Sequence, residues 1–378
     1  MVDYENPVTL PEALSLMGDD WRKEITNDFI RVGYFSKHIQ FHSLRNPYTG
    51  GSGFTHRFTR LKNTAPVSAR SVNEKYPVKK VDTSTASVDV KYWGGTFEMD
   101  RIIYDAGTLE PEISLQMGQL AKSCSYYFDQ LCIMGDSGTN NKVFDGIIPI
   151  ANAYGRVKKA TDFLQGAEGE LQNGQDQYLN LFSFDDAQMK ALKRKFLFLM
   201  DRWLSTFDDK PTFIMGNPLT MSCLKAIARE VGVYQTKTDQ WGTPIDQYNG
   251  IDLVSTSYQV EQELDDTNQY SFSRSRVLPT TTVHLDPTTT GTELGFKAGD
   301  YPVGTLIAGR FGRDAIYGIC PSIGNILRMW YPKYGENFVE PVQKGGVEMS
   351  GAMVVNKIES IGVLTNIVVG GAGGPGDV

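Results

Sequence analysis

A long, basic, two-stranded arm with nothing of its own to pack against constrains this chain more than any other feature. It runs from Phe54 to Trp93, bounded by Gly50-Gly51-Ser52-Gly53 before it and Gly94-Gly95 after it. The far strand alternates, with Val88, Val90 and Tyr92 on one face and Ser87, Asp89 and Lys91 on the other. The near strand, Phe54 to Leu61, alternates less regularly, and Pro66 and Pro77 mark a turn region between the two. An isolated hairpin is marginal in water because no third layer covers its apolar face. Such an arm persists by lying on something else, and a second copy of the chain is the expected partner.

Charge points the same way. Residues 54–91 carry eight basic side chains (Arg57, Arg60, Lys62, Arg70, Lys75, Lys79, Lys80, Lys91) against Glu74, Asp82 and Asp89. Residues 1–34 carry seven acids (Asp3, Glu5, Glu12, Asp19, Asp20, Glu24, Asp28) against Arg22, Lys23 and Arg31. Opposite blocks on two extended segments suit steering and register between subunits. The candidate inter-subunit contacts are therefore Arg57, Arg60, Lys62, Arg70, Lys75, Lys79 and Lys80 on the arm, with Asp19, Asp20 and Glu24 on the acidic segment. The competing reading is that both blocks are solvated surface.

At 378 residues the chain exceeds what one compact core serves, so two or more sub-domains are expected. A net charge of −7 argues against a surface that holds nucleic acid throughout, since phosphate binding needs surplus Lys and Arg. It is compatible with a shell whose mildly acidic lining does not grip what it encloses. The four cysteines form no Cys-x-x-Cys pair, and Cys124, Cys132 and Cys223 fall in helical patterns as small core residues. The N-terminus lacks the apolar core of a signal peptide, and no run approaches the ~18 apolar residues of a membrane helix. Synthesis in a reducing cytoplasm is expected.

Along the chain, Pro11 and the Trp21, Ile25, Phe29 stripe predict one helix within an N-terminal arm. A spine helix is predicted over 110–134, with Pro111 in its first turn and a stripe Ile113, Met117, Leu120, Cys124, Tyr127, Leu131, Met134 spaced four and three apart. Gly135 stops it; a two-stranded coiled coil is the competing reading of this stripe. Residues 154–180 read as an exposed loop, and the Thr- and Ser-rich 256–300 as a surface excursion. Between them, Ser183 and Asp186 open a helix with the stripe Met189, Leu192, Phe196, Met200, Trp203. Pro211–Met215 is a short buried strand, Pro218–Glu230 a helix closed by Gly232, and Asn249-Gly250 a turn into a strand. Further strands are predicted over 304–310, 315–319, 339–343 and 353–369.

Catalytic constellations have duller explanations. Gly18-Asp19-Asp20 sits at a helix boundary, where capping explains the acids better than metal binding. His38 and His42 lie four apart with His56 following, but without an acidic or Cys partner at ligand spacing. His284 has no serine-centred motif near it, and neither Gly-x-Ser-x-Gly nor the phosphate-cradling Gly-x-x-x-x-Gly-Lys occurs. No enzyme activity, cofactor or metal is expected.

The order of these parts, with the short motifs Met134-Gly135-Asp136, Phe144-Asp145-Gly146-Ile147 and Asn249–Val254, resembles the major capsid proteins of tailed bacteriophages, the Hong Kong-97-like fold. The resemblance implies an α+β chain divided into an N-terminal arm (1–50), an extended loop (51–95), a peripheral domain with the spine helix (96–182), an axial domain (183–330) and a C-terminal return to the peripheral domain with a tail (331–378). It implies a self-assembling icosahedral shell of hexamers and pentamers enclosing double-stranded DNA without reading its sequence, made in a bacterial cytoplasm and ending in the virion. Scaffold and decoration proteins would be separate chains, and no membrane is involved. The alternatives are an encapsulin-like shell around protein cargo, a portal or tail component, and a soluble α/β enzyme. The acidic arm and the glycine-rich Gly370–Gly376 tail are expected to be held by neighbouring subunits.

Overall fold

The computed structural model describes residues 8–9, 33–44, 54–61, 67–76, 82–100, 109–163, 170–173, 176–181, 186–238, 244–257, 276–285, 299–322, 326–332 and 342–370. The helix expected around Trp21, the contacts Asp19, Asp20, Glu24, Lys62, Lys79 and Lys80, and the tail beyond Gly370 lie outside the described residues. The rest forms an α+β fold whose described strands fall into sheets of six, ten and two.

The spine helix runs Leu109–Met134. Ile113, Met117, Cys124 and Leu131 of its expected stripe are buried, and so is a second row, Ala121, Ser125, Phe128 and Cys132. With two rows covered, the helix is a core element rather than one strand of a coiled coil. Its end is fixed by backbone crowding: a Cβ on Gly135 would lie 2.3 Å from the Phe144 carbonyl oxygen. The Gly146 N–H then donates to the Gly135 carbonyl at 2.7 Å, which joins the Gly-Asp turn to the Phe-Asp-Gly-Ile motif.

The six-stranded sheet lies on this helix. Its long strand, Val342–Val355, pairs antiparallel with Lys91–Asp100 and Ile316–Cys320. The Trp93 ring stacks on Phe128 at 5.7 Å, and its indole N–H donates to the Cys124 carbonyl at 3.2 Å. Gly94 and Gly95 were expected to end the arm; instead they sit inside Lys91–Asp100, opposite Glu348 and Val347. A Cβ on Gly94 would stand 2.2 Å from the Val347 carbonyl oxygen, so the glycine marks a close backbone approach, not a boundary. The arm's own ladder stops at Asp89, and Val90 turns into the core.

The ten-stranded sheet is a partition between two cores. On Phe213–Gly216, Phe213 and Met215 face the spine-helix core while Ile214 faces the core under the helices Asp186–Leu204 and Pro218–Val231. On Gly299–Gly309, Ile307 faces the first core and Leu306 and Ala308 the second. Strands covered on both faces read as continuous apolar runs, as Phe213-Ile214-Met215 does. Pro218–Val231 is capped as its sequence predicts: Asn217 Oδ1 accepts from the Leu219 N–H at 2.9 Å, and Gly232 closes it at φ 81°. Asn249 and Gly250, at φ 53° and 74°, make the two-residue hairpin turn between Pro244–Tyr248 and Ile251–Ser255.

Three sequence expectations change. The 154–180 segment is not one exposed loop: Val157–Lys159 and Asp176–Asn180 pair with Ile361–Val368, and Ala160, Tyr178 and Leu179 are buried. Its Gly- and Gln-rich composition hid short strands that gain their partner from the far end of the chain. Within the 256–300 excursion, Val277 and Leu278 are buried and Thr281–Leu285 pairs with Gly299–Gly309. The C-terminal run 353–369 breaks into two strands at the turn Ile358–Ser360, and they join different sheets. Sheet membership thus cuts across the expected segments at 183–330 and 331–378. Ile316–Cys320 and Leu327–Trp330 belong to the six-stranded sheet, whereas Ile361–Val368 belongs to the ten-stranded one.

Candidate assembly interface

The arm consists of Thr55–Leu61 paired antiparallel with Thr83–Asp89 in a two-stranded sheet of its own. Its two faces differ. Along the near strand Thr55, Arg57 and Thr59 are exposed, while Phe58 is 9% exposed and His56 and Arg60 are half-buried. The far strand matches, with Ala86 and Val88 packed against the spine-helix core. The base of the arm therefore rests on its own subunit, contrary to the expectation that it has nothing beneath it. Burying Phe58 there contributes about 2 kcal/mol.

Arg60 is the principal polar anchor. Its guanidinium donates to the Val355 carbonyl at 2.6 Å, the Asn356 carbonyl at 3.2 Å and the Tyr154 hydroxyl at 2.8 Å. It also lies over the Phe58 and Tyr154 rings, at 5.0 and 5.3 Å from their centroids. His56 Nε2 is 2.9 Å from the Tyr317 hydroxyl, and the His42 ring lies edge-on to Tyr317 at 5.2 Å. Burial lowers the pKa of both histidines; for His42 the nearby Arg313 and His56 lower it further. His38 lies in the short helix Tyr34–His38, so the three histidines do not share a strand. Among the described residues no three His, Cys, Asp or Glu side chains are grouped to hold a metal.

Beyond the ladder, residues 67–76 project from the subunit. Val67 is 94% exposed, Val72 90% and Tyr76 63%. Arg70 holds this turn by donating to the Glu74 carbonyl at 3.2 Å and lying 5.1 Å over the Tyr76 ring, and Lys75 stands exposed beside it. The described basic residues of the arm thus separate into two groups. Arg60 and Lys91, which donates to the Asn141 carbonyl at 2.7 Å, are engaged with their own chain, while Arg57, Arg70 and Lys75 are exposed, the last two beside exposed Val72 and Tyr76. Sequence reasoning treated them as one block; the parity of the near strand, with Phe58 and Arg60 on the same face, was the available signal.

In the last turns of the spine helix, the Asp129 carboxylate accepts the N–H groups of Tyr34 at 2.8 Å and Phe35 at 3.1 Å. Burial drives its pKa from 3.8 up to about 7, against the pull of those hydrogen bonds. Buried Cys124 and Cys320 are pushed up to about 12 by desolvation, so both thiols stay protonated at neutral pH. No helix among the described residues is long and apolar enough to cross a membrane.

No protein-family model and no curated protein matches the chain. Solved structures do. The holo-SrpI encapsulin complex from Synechococcus elongatus PCC 7942 is similar over 89% of this chain and 88% of its own, at 11% identity and a TM-score of 0.50. A structure described as Mycobacterium phage Bobi is similar over 89% of each chain at 9% identity and a TM-score of 0.46. A virus-like particle from Pyrococcus furiosus is similar over 90% of this chain and 95% of its own at 11% identity and a TM-score of 0.44. With arm, spine helix and two-faced sheet in that order over nearly nine-tenths of its length, the chain has the Hong Kong-97-like capsid fold.

Proposed function

We propose that this chain is a major capsid protein, the repeating subunit of an icosahedral shell of hexamers and pentamers enclosing bacteriophage double-stranded DNA. The observation that carries the reading is the projecting arm: Val67, Val72 and Tyr76 stand almost bare of their own subunit, beside Arg70 and Lys75. Exposed apolar side chains rimmed by charge suit docking on a neighbouring copy. The role is structural rather than catalytic. Contact between Arg57, Arg70 or Lys75 and a neighbour's Asp19, Asp20 or Glu24 belongs to the proposal, as do separate scaffold and decoration proteins, the domain division and virion location.

The test is a triple substitution, Val67→Ser, Val72→Ser and Tyr76→Ser, followed by sedimentation and electron microscopy. The subunit should melt as wild type does and fail to form closed particles; normal particles from the triple variant would refute the role of the arm. A second reading, a protein-cargo shell, is favoured by the likeness to an encapsulin complex. Purified particles decide between them: protected DNA supports the first, a packaged protein the second.

A further inference from the structure

Among the described residues, no carboxylate pairs with the basic side chains at the base of the arm. On its inner face the near strand presents His56, Phe58 and Arg60, opposite Val88, Ala86 and Ser84 of the far strand. The six-stranded sheet beneath offers Tyr317 and His42 from the neighbouring strands Ile316–Cys320 and Gln40–Ser43, and Arg313 stands in the turn before Ile316. His56 Nε2 lies 2.9 Å from the Tyr317 hydroxyl, and its ring stands edge-on to that phenol at 5.9 Å, as the His42 ring does at 5.2 Å. His42 Nε2 is buried with no hydrogen-bond partner among the described residues. The acids nearby are turned elsewhere: Asp89 lies on the outer face and accepts the Thr55 hydroxyl at 2.7 Å, and Asp314 is held by Arg310 at 2.8 Å. Lys357, which follows Asn356, is directed to Asp208 at 2.8 Å, and the Cys320 thiol stays protonated against the His42 carbonyl. A proton on His56 therefore has nothing to offset it. Its Nε2 would change from acceptor of the Tyr317 O–H to donor, so the hydroxyl would have to turn away, and the new charge would stay half-buried.

We propose that the base of the arm is an acid-sensitive latch, closed while His56 is neutral and opened when His56 takes a proton against His42 and the arginines around it. Opening lifts His56 into water, where its pKa returns to about 6.5, whereas burial in the closed arm keeps it lower. The open form therefore binds more protons. Opening becomes more frequent as pH falls below about 6.5, by up to about tenfold per pH unit from this group. His42 acts in the same sense, since burial, Arg313 and His56 all disfavour a proton on it while the arm is closed. What opens is the strand pair Thr55–Leu61 and Thr83–Asp89, and with it the projecting residues 67–76. The latch does not rest on the shell reading, because it is a property of the single subunit.

Hydrogen exchange of the dilute, unassembled full chain is followed between about pH 7.5 and 5, each rate divided by the intrinsic rate of the same amide at that pH. In the wild type the amides of Thr55–Leu61 and Thr83–Asp89 should lose protection below about pH 6.5, while those of Leu109–Met134 keep theirs. His56→Gln retains a side-chain amide for the Tyr317 hydroxyl but takes no proton, and it should lose most of the acid response. His42→Phe leaves the His56–Tyr317 contact in place and should weaken the response. A wild-type arm whose protection does not change with pH, a loss shared equally by the spine helix, or a full acid response in both variants overturns the proposal.

Discussion

Arg57 and Arg60 are three residues apart in one basic strand, and their exchange for other side chains should have opposite consequences. Arg60 faces its own subunit and donates to two main-chain carbonyls and to Tyr154; Arg57 is exposed. A hydrogen bond from a charged donor contributes about 1.5–3 kcal/mol when buried. Arg60 is half-exposed, which weakens each bond by screening, so we take about 2 kcal/mol for the whole anchor. Arg60→Met keeps an aliphatic stem on the buried face and removes the guanidinium, with its hydrogen bonds and its stacking over Phe58 and Tyr154. The opening of the arm base should then become about 30-fold more frequent, at 1.4 kcal/mol per tenfold. Native-state hydrogen exchange of the amides in Thr55–Leu61 and Thr83–Asp89 reads this directly. Arg57→Glu should leave that exchange unchanged and lower the yield of assembled particles, more strongly at low salt. If Arg60→Met leaves the exchange of both strands at the wild-type rate, the base is held by apolar contact alone and the anchor reading fails.

Other outcomes follow from single positions. Gly94→Ala should destabilise by at least about 3 kcal/mol, because its new methyl meets the Val347 carbonyl and the Glu348 backbone; a wild-type urea midpoint would contradict this. Asn217→Ala removes both the cap of Pro218–Val231 and a buried donor to the Leu278 carbonyl, and should lower stability by about 1–3 kcal/mol in denaturant unfolding. The Asp129 carboxyl holds its proton up to about pH 7 in the folded chain, while an unfolded carboxyl releases it near 3.8. The folded state therefore binds more protons between those values, and stability contributed by this group falls as pH rises from about 4 to about 7, then levels. Asp129→Asn should flatten that slope in a series of denaturant melts, and an unchanged slope would mean that another group carries it.

The sequence by itself determined the elements whose signals are local. The spine helix announced itself by Pro111 in its first turn, its apolar stripe and the glycine at position 135 that follows it. Asn217, Pro218 and Gly232 bracketed a helix because capping groups act within a turn. Asn249-Gly250 fixed a hairpin because its positive φ angles suit those two residues. The alternating strand and the excess of Lys and Arg marked an arm. What only the tertiary structure decided was partnership. Gly94-Gly95 reads as punctuation until Val342–Val355 is laid beside it, 250 residues on. The 154–180 segment reads as loop because its strands are three to five residues long, and Val157–Lys159 and Asp176–Asn180 pair with Ile361–Val368, a partner that no local pattern names. The charge block on the arm reads as one patch because composition has no face. The pleat turned Arg60 inward and Arg57 outward, and it is the face, not the charge, that separates an anchor within the subunit from a surface offered to a neighbour.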